Sequence, residues 1–274
     1  VLSLLALGSS LVWGTSDFFA GLASRRRPAV AVVGWTQGLA LLVLSLLVAA
    51  RWSSVTWSGW PPWALAAGVA GMVGLVSFYS ALSEGTMGVV APIAALGVVV
   101  PVVLGVLTGD QPSAWSWVGM VVAVAGVALA SGPELSGAVS PRPVVLASVA
   151  ALGFGFALFS LDRGARESTL MTLWGMRVTS VTVLLLVALV ARSVGGVTAR
   201  ETPALLLIGC GDLAANALFA VASSSGQVSV ASVLGSLYPV VTALLARVVV
   251  GERLRRIQQI GVVLAVAGAA VIAL

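Results

Sequence analysis

The sequence predicts an all-α membrane protein of ten transmembrane helices, built as two inverted five-helix repeats. Three observations carry that prediction. Hydrophobic residues make up 59% of the 274 residues and charged residues 8%, against about 45–50% and about 25% in a typical soluble domain. The apolar residues fall into ten runs, each near the ~20 residues that one crossing of a bilayer needs. Short motifs of the first half return in the same order in the second. So few charges exclude an ordinary cytosolic enzyme, a disordered regulator and a secreted domain. The 14 basic residues are all arginine and outnumber nine acids, for a net charge of +5. They are scattered between the apolar runs, as membrane-flanking charges are, so no nucleic-acid partner is expected. With no histidine and only Cys210, the chain has no His ligand, Ser-His-Asp triad, disulfide framework or cysteine metal cluster. No cofactor is expected. The chain does not begin with Met, so its ends say nothing of a signal peptide.

The breaks fall where Arg, Pro, Gly and acidic residues cluster. Run one, Val1 to Ala23, closes at Arg25, Arg26, Arg27 and Pro28. Run two, Ala29 to Ala50, ends at Arg51, and Pro61-Pro62 opens run three, which reaches Ser83. Glu84 to Met87 separates it from run four, Gly88 to Leu107. Asp110-Gln111-Pro112 precedes run five, Trp115 to Ala130. The most polar break, around Gly132-Pro133-Glu134, divides a first repeat (1–132) from a linker (133–143) and a second repeat (144–274). Runs six to ten are Val144 to Leu161, Leu170 to Ala191, Pro203 to Ala222, Val228 to Val250 and Ile257 to Leu274. Each is apolar almost all round, unlike a soluble amphipathic helix. The alternating short strands of a membrane barrel are absent.

The repeat is read residue by residue. Val122-Ala123-Val124-Ala125-Gly126-Val127 matches Leu264-Ala265-Val266-Ala267-Gly268-Ala269, with Gly119 against Gly261 at the same offset. Pro101-Val102-Val103 matches Pro239-Val240-Val241, with Gly97 against Gly235. Trp35 answers Trp174, and Trp13-Gly14 answers Phe154-Gly155. An odd number of helices per repeat sends the halves across the membrane in opposite directions. That inverted topology recurs in secondary transporters, whose halves exchange conformations about a central site.

These residues make the chain resemble the drug/metabolite transporter superfamily, in its ten-helix EamA branch. Trp13-Gly14, Tyr79-Ser80-Ala81-Leu82 with Gly85, Ala91-Pro92 and Met176-Arg177 carry the resemblance. So does Leu237-Tyr238-Pro239-Val240-Val241-Thr242-Ala243-Leu244-Leu245, followed by Gly251-Glu252-Arg253-Leu254. The resemblance covers the whole chain. It implies transport of a small solute (amino acids, nucleobase-like metabolites, sugar nucleotides or drugs) and both termini in the cytoplasm. Two departures are Gln111-Pro112 after the first-half acid and Arg247 in the ninth run. The odd-numbered loops hold most of the arginines, so the positive-inside rule puts both termini outside. Both arguments place the termini on one side of a plasma or inner membrane.

Charges inside a span are costly, about 2.5–3.5 kcal/mol each on insertion scales, which makes Asp17, Arg177 and Asp212 the candidates for function. Arg247 is close enough to a helix end to snorkel. Asp212 and Asn216 share a face of helix eight, and short loops make an Arg177–Asp212 pair possible. Two readings stay open: an ion pair that orients the second repeat, or Arg177 meeting a substrate carboxylate or phosphate with Asp212 as counter-charge or proton site. Asp17 either binds a proton or cation or lies at the headgroup boundary. Trp52, Trp57, Trp60, Trp63, Trp115 and Trp117 read as an interfacial aromatic belt. Trp13, Trp35, Trp174, Tyr79, Tyr238 and Phe154 either wall a solute cavity or pack between helices. Pro92, Pro101 and Pro239 interrupt helices four and nine, where a proline removes a backbone hydrogen bond and kinks the helix. Pro92 is read as a substrate contact, and Pro101 and Pro239 as hinges. Ser232 and Ser236 either bond a ligand or their own backbone.

The expectation is therefore a secondary transporter, an exporter of small amino-acid-like metabolites by alternating access. Its partners are the solute, membrane lipids and coupling protons at Asp17 or Asp212, and a monomer is possible. The alternatives are a multidrug or organic-cation exporter and a non-transporting membrane scaffold. No paired carboxylates, metal motif or activated nucleophile marks an intramembrane enzyme.

Overall fold

The computed structural model describes residues 1–52, 55, 57–84, 90, 93–130, 141–245, 248–249 and 255–272. Pro92, Arg247, Gly251-Glu252-Arg253 and most of the expected linker lie outside them. The regular elements among the described residues are helices. α1 is Leu2–Ser24, α2 Ala29–Ala50 and α3 Pro61–Glu84. A 3-10 turn, Leu96–Val98, leads into α4, Val99–Leu107, and α5 is Ala114–Ala130. Pro141–Ala191 comprises two helices that meet at Ser168, where the backbone is extended (φ −161°, ψ 107°). Its arms, 141–167 and 169–191, are α6 and α7. α8 is Thr202–Ser224, α9 Val228–Gly235, α10 Tyr238–Leu245 and α11 Arg256–Ile272.

Four of these helices are long and apolar enough to cross a membrane: α2, α3, the bent Pro141–Ala191 and α8. The sequence reading counts ten, and the difference has physical causes. Ser9, Ser10, Thr15, Ser16 and Asp17 dilute the apolar character of the 23-residue α1. Prolines cut short the helices around positions 101 and 239. At 17 residues, α5 and α11 reach about 25 Å, the lower end of what a bilayer requires. The two arms of Pro141–Ala191 are about 40 Å and about 35 Å long, each enough for one crossing of a ~30 Å hydrocarbon core.

The expected break between runs six and seven is present, narrowed to the single extended residue Ser168. Residues 162–167 stay helical, and Arg166 Nε donates to Asp162 Oδ2 across one turn at 3.1 Å, a spacing that supports a helix. Side chains sort as a lipid solvent demands. Leu46, Leu107 and Leu207 are 73–75% exposed, while Arg177 is 3% and Asp162 0% exposed. Trp52, Trp57, Trp63, Trp115 and Trp117 are exposed, as a belt requires. Trp60 is not. It is 3% exposed and fills the slot left by Gly175, where an added Cβ would stand 2.6 Å from its Cζ3. It packs there with Val48, Ala64 and Met171.

Three packing seams organise the bundle: α3 against α6 and α7, α1 against α8, and α5 against α11. The last is the most sharply defined. A Cβ on Gly119 would lie 2.8 Å from the Gly268 carbonyl, and one on Gly268 lies 2.7 Å from the Gly119 carbonyl. Gly126 and Gly261 stand in the same mutual relation, at 2.8 and 2.7 Å. The pairing runs antiparallel, because 119 meets 268 and 126 meets 261. A polar tie also joins the halves. Asp110 Oδ2 accepts from the Ser229 backbone N–H and Oγ, both at 2.8 Å, at the first turn of α9, which has no side-chain cap of its own.

Candidate functional site

The seams leave a cavity of about 100 Å³ between the halves, several times the ~10–15 Å³ that seats one water. Its walls come from both halves. α1 supplies Trp13 and Asp17, α2 Gln37, α6 Phe154 and Leu158, α7 Met176 and Arg177, α8 Asp212 and Asn216, and the α9–α10 junction Ser236 and Tyr238. The lining is mostly apolar with a few placed polar groups, as small-molecule sites are.

Asp212 is the hub of the polar network. It forms an ion pair with Arg177 Nη2, the α7–α8 pairing that the sequence allows. Trp13 Nε1 donates to its Oδ1 at 3.2 Å, and Asn216 Nδ2 donates to the same oxygen at 3.1 Å. The Trp13 bond crosses from the first half to the second, so the site depends on how the halves are docked. Asp17 belongs to a separate pair: Tyr79 Oη donates to its Oδ1 at 2.8 Å. Among the described residues no arginine pairs with Asp17.

Other expected residues lie elsewhere. Tyr79 is buried behind Asp17 and does not line the cavity. Trp35 Nε1 donates to the Val194 carbonyl at 3.1 Å, and Trp174 Nε1 to Ser45 Oγ at 3.1 Å. These matched tryptophans thus bridge between α2 and the α7 arm with its following segment. Ser236 lines the cavity, but its Oγ donates to the Val233 carbonyl at 2.8 Å. Ser232 is fully buried outside the lining, its Oγ without a partner. The prolines act where the matched motif puts them. The 3-10 turn Leu96–Val98 precedes Pro101, and the helix is broken at 236–237 before Pro239. Each proline lacks the N–H that would bond the carbonyl four residues earlier. Those carbonyls belong to Gly97 and Gly235, and both glycines line the cavity.

Gln37 escaped the sequence reading. It is an amide in the middle of an apolar run, 3% exposed, with its Oε1 buried and unpartnered. The signal was present but uncharged. Asp162 was also missed. It is 0% exposed and held by Arg166 and Arg163 near the bend at Ser168.

A helical membrane bundle with a polar, ion-paired cavity between two matched halves defines a transporter scaffold. The model of the EamA-like transporter family matches residues 2–132 and again 141–274. The chain belongs to that family, a branch of the drug/metabolite transporter superfamily made up of transporters and not enzymes. No curated protein matches the chain. A crystal structure described only as that of a protein superposes with a TM-score of 0.80 at 21% identity, over 98% of this chain and 95% of its own. At that identity the likeness shows the fold alone.

Proposed function

We propose that the chain is a secondary transporter that exports a small zwitterionic, amino-acid-like metabolite by alternating access. One observation carries this reading: a single cavity holds Asp17, without a basic partner among the described residues, and Arg177, whose Nε has no hydrogen-bond partner. A cation alone would leave that guanidinium edge unmatched, and an anion alone would face an unbalanced carboxylate. A zwitterion answers both. Trp13, Phe154, Met176 and Leu158 suit an apolar side chain on the solute.

The mechanism rests on ten spans in two inverted repeats, 1–132 and 144–274, joined by 133–143. The two arms of Pro141–Ala191 then count as two spans, and the proline-broken helices of each half as one each. The mutual glycine pairs support a two-fold relation between the halves. Gly119 matches Gly261 and Gly126 matches Gly268 in sequence, and each packs on the mate of the other. Pro101 and Pro239 are the hinges. The Trp13–Asp212 bond is made in one docking of the halves and broken in the other. Asp17 carries the coupling proton, while Asp212, held by Arg177, Trp13 and Asn216, serves as counter-charge. The chain works as a monomer in the plasma or inner membrane, with both termini on one side.

The test is transport in proteoliposomes, using a panel of labelled amino acids with and without a pH gradient. Gradient-stimulated movement of apolar amino acids is expected. No movement of any solute across the panel would leave a scaffold. A second reading, export of organic cations, draws on Asp17 alone. It wins if labelled cations move and amino acids do not.

A further inference from the structure

Seven side-chain atoms among the described residues are buried without a hydrogen-bond partner, and three of them belong to cavity residues: Gln37 Oε1, Arg177 Nε and Tyr238 Oη. The three come from different helices, α2, α7 and α10. Buried polar groups left unmatched are rare because each forfeits its hydration. Three around one cavity mark groups held ready for a solute. Arg177 Nε can only donate and Tyr238 Oη can do either, whereas Gln37 Oε1 can only accept.

We propose that Gln37 is a selectivity-determining residue of this cavity, accepting an N–H from the ammonium group of the transported solute. The inference rests on the zwitterion reading above and adds a chemical distinction to it. A carboxylate such as Asp17 attracts any positive charge. A carboxamide is neutral at every physiological pH, so it distinguishes solutes by their N–H donors and not by their charge. Gln37 therefore favours a primary ammonium, which has N–H to give, over a quaternary one of equal charge. Oε1 of Gln37 has no partner of its own. Its neighbours along α2, including Val33, Ala40 and Leu44, are buried hydrocarbon.

The experiment uses the full chain in proteoliposomes, wild type and Gln37→Leu. It measures exchange of labelled L-leucine against unlabelled L-leucine, its N,N,N-trimethyl betaine and 4-methylpentanoate. Wild type should prefer leucine over the betaine by about tenfold or more, the range of one hydrogen bond to a charged group. Gln37→Leu should lower that ratio by about threefold or more. A thermal melt supplies the second readout. Without solute the variant should melt at least as high as wild type, because an unmatched acceptor has been removed, and leucine should stabilise it less. An unchanged ratio in the variant overturns the inference, as does a wild type indifferent to the methyl groups. A wild type that exchanges none of the three overturns the zwitterion reading and the inference with it. Should Gln37→Leu fail to fold, Gln37→Met is read by the same ratio.

Discussion

The α5–α11 seam and the central cavity are both contacts between the two halves, yet they are built by opposite choices. Along the seam, Gly119, Gly126, Gly261 and Gly268 bring backbones to within a methyl group of each other. Lipid offers no hydrophobic drive between helices, so close packing through small residues does that work. In the cavity the side chains are large or polar, and the halves meet through directed bonds such as Trp13 to Asp212. A seam of that kind has one good arrangement. A contact made of hydrogen bonds can be exchanged for water or solute at modest cost. The difference suits one interface to rigidity and the other to the movement that the proposed cycle requires.

The largest effect should come from Arg177→Leu. It strands Asp212 as an uncompensated charge, a change that costs about 3–5 kcal/mol for a buried pair, and it should abolish transport. The double variant Arg177→Leu/Asp212→Leu sharpens the comparison: the melting temperature should recover and transport should not. A double variant that regains transport would reduce the pair to a structural role. Next comes Gly126→Leu in the seam. Overpacking typically costs about 1–3 kcal/mol, with backbone as the obstacle here. The melting temperature should fall while the solute affinity of the protein that remains folded stays as it was, as measured by ligand-induced thermal shift. A weakened affinity would mean that seam and cavity are not separate devices. Trp13→Phe is milder. It removes one of several bonds to Asp212 and should weaken apparent solute affinity about fivefold, or about 1 kcal/mol, with little change in melting.

The smallest effect belongs outside both regions. Arg27 Nε and Nη2 donate to the two oxygens of Glu201, each at 2.9 Å. With the Thr198 N–H and hydroxyl, they hold the Glu201 carboxyl down at about 2 from its ordinary 4.5. A depressed carboxyl stabilises the fold above its unfolded value, and that contribution fades as pH falls from about 4.5 towards about 2. Melts across this range should show the slope in wild type, and Glu201→Gln should flatten it. The side chains of the pair are 30% and 34% exposed, so salt should screen part of its effect.

The all-helical membrane character was legible because a bilayer constrains sequence more tightly than water does. Long apolar runs must be helices, and repeated glycine and proline positions marked the matched halves before any contact was visible. The Arg177–Asp212 pair was legible for the same reason, since opposite charges on neighbouring spans lower each other's cost by pairing. Other features depended on rotation about a helix axis, which apolar-all-round helices do not reveal. Trp60 was grouped with the belt by its place in the chain, yet it faces Gly175. Trp35 and Trp174 occupy matched positions, yet neither lines the cavity; they bond Val194 and Ser45 instead. Gln37 was overlooked because cost was counted by charge. An amide in a span carries the same kind of information at lower volume. The narrowness of the break between α6 and α7 was hidden by Asp162, Arg163, Arg166 and Glu167, which read as a loop by polarity and as a helix by propensity.

That narrowness has a mechanical consequence. A flexible loop between α6 and α7 would let the two arms move independently. One extended residue, Ser168, between two rigid rods makes them a lever with a single elbow. Arg177 lies nine residues along the second rod, about 13–14 Å from the elbow. A swing of about 10° there carries its Cα by about 2.4 Å, more than a hydrogen bond tolerates. In the proposed cycle, an angular change at one edge of the bundle would thus become a make-or-break displacement at its centre, with the guanidinium as the moving tip.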